Sequence, residues 1–351
     1  MKAQLEAVAR ALIGREAWDD FCDRCDEAWL WHRFDFQDAL ATWRGSEDSS
    51  FAVVDPAQGG EILALVPLRR NARRIAGVLP VFLLDSLGAV ACRNGLPPGS
   101  KRSVLAQARD TLLKLASRGH CLDIRLSCPP MAPAYRGEHC PRVNPLLFLG
   151  CQNVTSQTWV VDLRAGKEGI WAAMEGRART AVRKAEKAGV AVRQAAAGDL
   201  DMYYGLHVET YRRTGVEPHP RAYFEAIWER LLSPGLAKVW IAELNGRAIA
   251  AENFALYKNA ALYWTGASNS AGLVVEAGSL LQWTAMQWMS TAGIQWYETG
   301  EGFPQALSGK AKGLNDFKKS FGGQLYPFYK GRMAAGGWNG RLYRLRQALS
   351  D

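Results

Sequence analysis

The run AKVWIAEL-NG-RAIAAENFALY, residues 237–257, reads as two strands joined by a tight turn. Residues 237–244 read as a strand. Asn245-Gly246 accepts the left-handed backbone that two-residue hairpin turns demand. Residues 248–257 and 260–265 extend the meander. The stretch 278–293 then changes to a helical period, with Leu280, Leu281, Trp283, Met286, Trp288 and Met289 apolar, and closes at Gly293 before a strand over 294–297. Toward the N terminus the patterns predict a strand over 158–163, a helix over 167–188, a strand over 190–194, and helices over 200–214 and 220–232. Helices, meander, helix and strand in this order predict an α+β fold.

A similar order, less sharply written, precedes it. Helical spacing over 16–44 is followed by strands over 50–54, 61–67 and 79–84, a helix over 101–118 and a strand over 122–126. Five prolines between Pro129 and Pro145 then mark an irregular connection, since proline continues neither a helix nor an inner strand. The boundary falls near 154–156. A length of 351 residues exceeds one typical core, so the repetition points to a duplicated domain.

With 48 % hydrophobic and 10 % aromatic residues the chain is not disordered. No run approaches the roughly 20 apolar residues of a membrane span, and residues 1–14 lack the apolar core of a secretory leader. A soluble, cytoplasmic protein without stable membrane insertion is expected. All seven cysteines lie within the first 151 residues, and their odd number argues for reduced thiols. Cys22 and Cys25 have the spacing of half a metal site but no second half follows, and the five histidines are scattered, so no metal is expected. The formal charge of +9 favours an anionic partner, although solubility alone would also account for it.

Two segments carry chemistry. On a helical wheel of residues 175–189, Met174, Ala178, Ala181, Val182, Ala185 and Ala188 share one arc, while Arg179, Arg183 and Lys187 stack along another and Arg177 and Lys184 widen it. Glu175 and Glu186 are the only acids there, so most of the cations lack an i+4 mate. Bound phosphates would relieve the repulsion, and a solvated face would account for the charges as well. The second segment is NDFKKSFGG, residues 315–323, in which Phe317 and Phe321 can anchor the backbone while Lys318 projects elsewhere. A fixed cation suits the oxyanion that develops when an amine attacks an acyl carbonyl. A surface lysine between two core rings is the plainer reading. Glu252 and Glu298 fall on expected central strands, where a carboxylate is costly unless used or paired.

In order and spacing, RTAVRKAEKAGV (179–190), YWTGAS (263–268), LLQW (280–283), Gly293-Ile294, YETG (297–300) and FKKSFG (317–322) resemble the Fem-type peptidyltransferase group. The resemblance covers about residues 156 to 330. It implies two GNAT-like domains in tandem, each a mixed central sheet flanked by helices: 1–155, then 156–320 with the motifs, and a C-terminal segment 321–351 returning to the first. It also implies a transferase that moves an aminoacyl group from aminoacyl-tRNA, or another anionic acyl donor, to an amine of an envelope precursor such as a peptidoglycan muropeptide. No further cofactor is implied.

By the same motif match, Lys318 is the catalytic lysine and Arg179, Arg183 and Lys184 form the basic helix that holds the donor; Lys187 and Lys319 are added to the donor set by position, and Glu298 is the second catalytic candidate, since it or Glu252 could assist removal of the amine proton. Arg221, Tyr223 and Tyr263 contact the acceptor. Glu298 and Gly300-Glu301-Gly302 depart from the group's usual aspartate and glycine pair, and no helical arm is inserted between 189 and 200. The segment GLVVEAG, residues 272–278, lacks the glycine-rich turn with which acetyl-CoA enzymes of this class hold pyrophosphate. Two alternatives stay open: an acyl-CoA-dependent N-acyltransferase acting on a sugar or amino acid, and a non-catalytic nucleic-acid or envelope-precursor binding protein. Peripheral contact with the inner membrane surface is also left open.

Overall fold

Asn245 and Gly246 both take positive φ, +52° and +72°, and the hairpin they close joins strands Ala237–Leu244 and Arg247–Tyr257. The computed structural model describes residues 5–43, 45–75 and 77–334. The chain divides into two units, one of residues 1–156 with 328–351 and one of residues 157–327.

The second unit is built on a seven-stranded mixed sheet in the order Ala191–Gln194, Ala237–Leu244, Arg247–Tyr257, Ala260–Ser268, Trp296–Gly302, Ser156–Asp162, Gln324–Phe328. Helices Gly166–Ala173, Gly176–Lys187 and Ala277–Thr291 enclose a core that includes Trp240, Phe254, Leu281, Met286, Met289, Tyr297 and Phe321. Burial of each large side chain there contributes about 1.5–3 kcal/mol. Ala260–Ser268 and Trp296–Gly302 are parallel, with Ala277–Thr291 as their crossover, and they pair only over Ala260↔Trp296, Ala261↔Tyr297 and Leu262↔Glu298. Beyond those pairs the two strands diverge.

The first unit repeats that plan. Leu79–Ser86 and Cys121–Ser127 are parallel, with helix Pro98–Ser117 between them in sequence. They lie in a six-stranded sheet, beside a four-stranded one packed on Trp18, Phe21, Cys22 and Cys25. Strand Lys330–Met333 pairs with both Cys121–Ser127 and Gln152–Asn153 and so belongs to the six-stranded sheet of this unit. The return starts at Phe328 rather than at 321. Phe321 is fully buried in the second core and Gln324–Phe328 is an edge strand of the second sheet, because the aromatic ring and the paired backbone both need that unit. Residues 335–351 lie outside the described part.

Two local expectations are corrected. The single helix expected over 167–188 is broken at Met174 and Glu175, whose ψ values are 143° and 148°. The Glu175 N–H is taken by the Ser320 carbonyl at 2.9 Å, and the Arg179 guanidinium binds the Met174 carbonyl, so neither group is left for a continuous helix. A strand not foreseen, Arg69–Ile75, pairs antiparallel with Leu79–Ser86. Among the described residues no helix is long and apolar enough to cross a membrane.

Candidate active site

Past Leu262↔Glu298 the central strands part like a wedge, 263–268 pairing on with Arg247–Tyr257 and 299–302 with Ser156–Asp162. The first strand past the split carries Tyr263 and the second follows Glu298, so the wedge opens beside both. Helix Gly309–Lys319 places Lys318 over the second strand. Its Nζ donates to the Glu301 carbonyl at 2.8 Å and sits 5.7 Å from the centre of the Phe303 ring. A Cβ on Gly300, whose φ is +106°, would come 3.0 Å from that nitrogen, so glycine lets the amine lie against the strand. The flanking rings behave as their spacing suggested, Phe321 fully buried and Phe317 meeting it edge-on with centroids 5.0 Å apart.

Burial pulls the Lys318 pKa below its ordinary 10.5, against the opposing pull of Glu298 and Glu301. Glu298 is itself buried and accepts from the Thr158 hydroxyl at 2.6 Å. Asn315, from the same motif, accepts from both the Trp159 indole and the Phe303 backbone N–H at 2.9 Å, and so fixes the ring beside the amine.

The basic helix and the lysine helix meet. Arg177 bonds Glu175 at 2.8 Å and the Asp316 backbone carbonyl, and Lys319 approaches Glu175 at 3.7 Å. Arg183, Lys184 and Lys187 are exposed, Arg183 packing 5.3 Å from the Trp171 ring. Arg179 instead turns inward, and its guanidinium binds the carbonyls of Trp171, Ala172 and Met174 at the end of the preceding helix. Of the five cations expected to hold a donor, four are exposed, Lys319 among them beside the Glu175 carboxylate, while Arg179 is engaged with backbone.

The three residues expected at an acceptor are not equivalent. Arg221 is exposed and already paired with Asp201 at 2.5 Å and Glu225 at 2.8 Å. Tyr223 is buried among His219, Phe224 and Trp264. Tyr263 stands where the parted segment begins, and its hydroxyl occupies the place a side chain at Gly266 would take, 1.9 Å from that Cβ position.

Tyr263 belongs to a network whose members sequence spacing did not join. Its hydroxyl bonds Glu252, which also accepts from the Gln282 amide at 2.7 Å, and the Gln282 oxygen accepts from Tyr297. Burial raises the Glu252 carboxyl well above its ordinary 4.5, more than the two donors lower it. The folded protein therefore holds this proton where the unfolded chain has released it. Stability from this group is complete below about pH 4.5 and is lost as pH rises through the folded pKa, by about 1.4 kcal/mol per pH unit at most. Glu252→Gln, which cannot titrate, should flatten the alkaline limb of a urea-midpoint profile, and parallel profiles for the two proteins would contradict this.

The histidines expected to be scattered include one pair: His219 Nδ1 lies 3.2 Å from His207 Nε2. Burial first, then the neighbouring ring, lowers His207 to about 4, so it is neutral at physiological pH. Among the described residues no cluster of three metal-ligating side chains occurs, and Cys22 and Cys25 are buried, the Cys25 thiol donating to the Cys92 carbonyl at 3.0 Å.

The chain matches the acetyltransferase (GNAT) domain family over residues 173–319, which supports a transferase. Its fold is that of FemX, with 15 % identity over 97 % of this chain and 99 % of that one and a TM-score of 0.68. A tandem GNAT protein from the clavulanic acid biosynthesis pathway shares 13 % identity over 95 % of this chain and 100 % of its own, with a TM-score of 0.55. L-PGS from Bacillus licheniformis shares 13 % over 82 % and 86 %, with a TM-score of 0.51. No curated protein matches by sequence. The resemblance to the Fem-type, tandem-GNAT group thus holds at the level of fold.

Proposed function

We propose that the protein transfers an aminoacyl group from aminoacyl-tRNA to an amine of a cell-envelope precursor, with the wedge of the second unit as its active site. The observation that carries the reading is the Lys318 ammonium, fixed by the Glu301 carbonyl at 2.8 Å beside the parted strands, while the basic helix touches the lysine helix through Arg177 and bears three exposed cations further along. The incoming amine attacks the ester carbonyl, the C–N bond forms as the ester C–O bond breaks, and the amine's proton restores the ribose hydroxyl. Lys318 stabilises the oxyanion, and Glu298 helps keep Lys318 charged. Tyr263 lines the acceptor side. Arg183, Lys184 and Lys187 contact donor phosphates without reading sequence.

The helix that would receive a CoA pyrophosphate, Ala277–Thr291, begins after Glu276 in a left-handed conformation. A carboxylate at that N-terminus repels a diphosphate. Nucleotide-linked muropeptide incubated with either aminoacyl-tRNA or acetyl-CoA is the test, read by product mass. Amide formed from aminoacyl-tRNA is expected; product from acetyl-CoA alone would replace the donor, and salt-sensitive binding without product would favour a binding protein.

The cationic surface has its own readout. In the Arg183→Glu, Lys187→Glu double variant, tRNA affinity should fall, and the slope of log K against log salt should drop by about two, one for each lost phosphate contact. An unchanged slope would put the nucleic acid elsewhere.

A further inference from the structure

We infer that the first unit holds a second, independent binding site for a single-chain anionic amphiphile of the alkyl phosphate class. The site is a cavity of about 890 Å³ built wholly from that unit, within the range of about 300–1,000 Å³ typical of small-molecule sites.

Helix Pro98–Ser117 explains why the cavity exists. Val104, Ala108, Leu112 and Ala116 bury one face in the core. A second stripe, Lys101, Leu105 and Arg109 at intervals of four, with Arg102 and Ala106 beside it, lines the cavity instead. The turn Pro145–Leu149 supplies Leu146 and Leu149 opposite. Val143 and Phe148 form an apolar lip that is 57 % and 75 % exposed, surface that an alkyl chain would remove from water at about 0.8 kcal/mol per buried methylene.

Charge sets the head group. Lys101 is paired with Glu27 at 2.6 Å, but Arg102, Arg109 and Arg142 have no acidic partner among the described residues. Arg109 lies over Gly150, 3.5 Å from where a Cβ would stand, so the absent side chain leaves room for a guanidinium at the wall. Three unpaired guanidinium groups around an apolar trough match an anionic oxygen fork on a hydrocarbon chain and repel a cationic head. The lining offers no nucleophile at neutral pH, since burial pushes the Cys128 thiol up to about 12 and the Tyr135 hydroxyl higher than usual. The site binds rather than reacts.

Calorimetric titration of the full chain with monomeric dodecyl phosphate tests this, beside dodecyltrimethylammonium and inorganic phosphate. One equivalent of dodecyl phosphate should bind at least about tenfold more tightly than either control. Arg109→Glu with Arg142→Glu should weaken it by a similar factor, as should Ala106→Phe, an exposed helix position whose larger side chain fills the trough. Melting temperatures of the free variants should stay near the parent's. Equal binding of the two head-group charges, phosphate alone binding as well, binding only to anionic vesicles, or variants of unchanged affinity would each overturn the assignment.

Discussion

Lys318→Met should lower kcat/KM for acyl transfer by about 10²–10³-fold, a loss of roughly 3–4 kcal/mol of transition-state stabilisation, while the melting temperature moves little. The amine is half-buried and already fixed, its stem against Gly300 and its nitrogen on the Glu301 carbonyl, so no reorganisation is needed when charge develops on the substrate oxygen. Methionine keeps the length and removes the charge. Stability is spared because losing one hydrogen bond is offset by no longer desolvating a cation, each worth about 1 kcal/mol in this partly exposed setting. A second readout separates chemistry from packing. Since burial draws the lysine below 10.5, the alkaline loss of kcat/KM should occur below that value. Lys318→Arg, which stays charged, should move that loss out of range even if its bulk lowers kcat. Wild-type turnover in Lys318→Met would remove this residue from the mechanism.

The meander was legible almost to the residue, because the Asn245-Gly246 turn pins the two strands together before any tertiary contact forms. Lys318 was legible for a related reason: ring spacing within one helix is a local property, and the Phe317–Phe321 contact follows from it. Arg69–Ile75 was not, since its exposed face is arginine and it is a strand only through its partner Leu79–Ser86. The Arg179 role was hidden as well. A wheel places it in the basic stripe, but the break at Met174 turns it onto three carbonyls, and that break depends on Ser320, far away in sequence. The Glu252, Gln282 and Tyr297 network joins two strands and a helix, and neither it nor the His207–His219 pair leaves any spacing signal. The first unit's cavity was missed because the second stripe on Pro98–Ser117 reads as an ordinary basic surface until the opposite wall is known.

Gly322→Ala should destabilise the second unit by about 2–4 kcal/mol. Gly322 has φ +85°, a conformation costing an L-residue about 1–2 kcal/mol. The added carbon would also stand 2.8 Å from the Ala173 carbonyl oxygen and 2.9 Å from its carbon, both backbone atoms that no rotamer change can move. At Gly323 a Cβ would approach the Val160 backbone at 3.2 Å. The glycine pair closing NDFKKSFGG is thus where the chain leaves the lysine helix, passes under the end of Gly166–Ala173 and enters strand Gln324–Phe328. Gly313→Ala is the control: that residue lies inside the lysine helix with nothing within 4 Å of its Cβ position, so alanine there should be neutral or stabilising by up to about 1 kcal/mol. Urea unfolding followed by tryptophan fluorescence should separate the two variants by several kcal/mol. Equal midpoints would mean that the turn relaxes freely, and the lysine's placement would then need another anchor than this one.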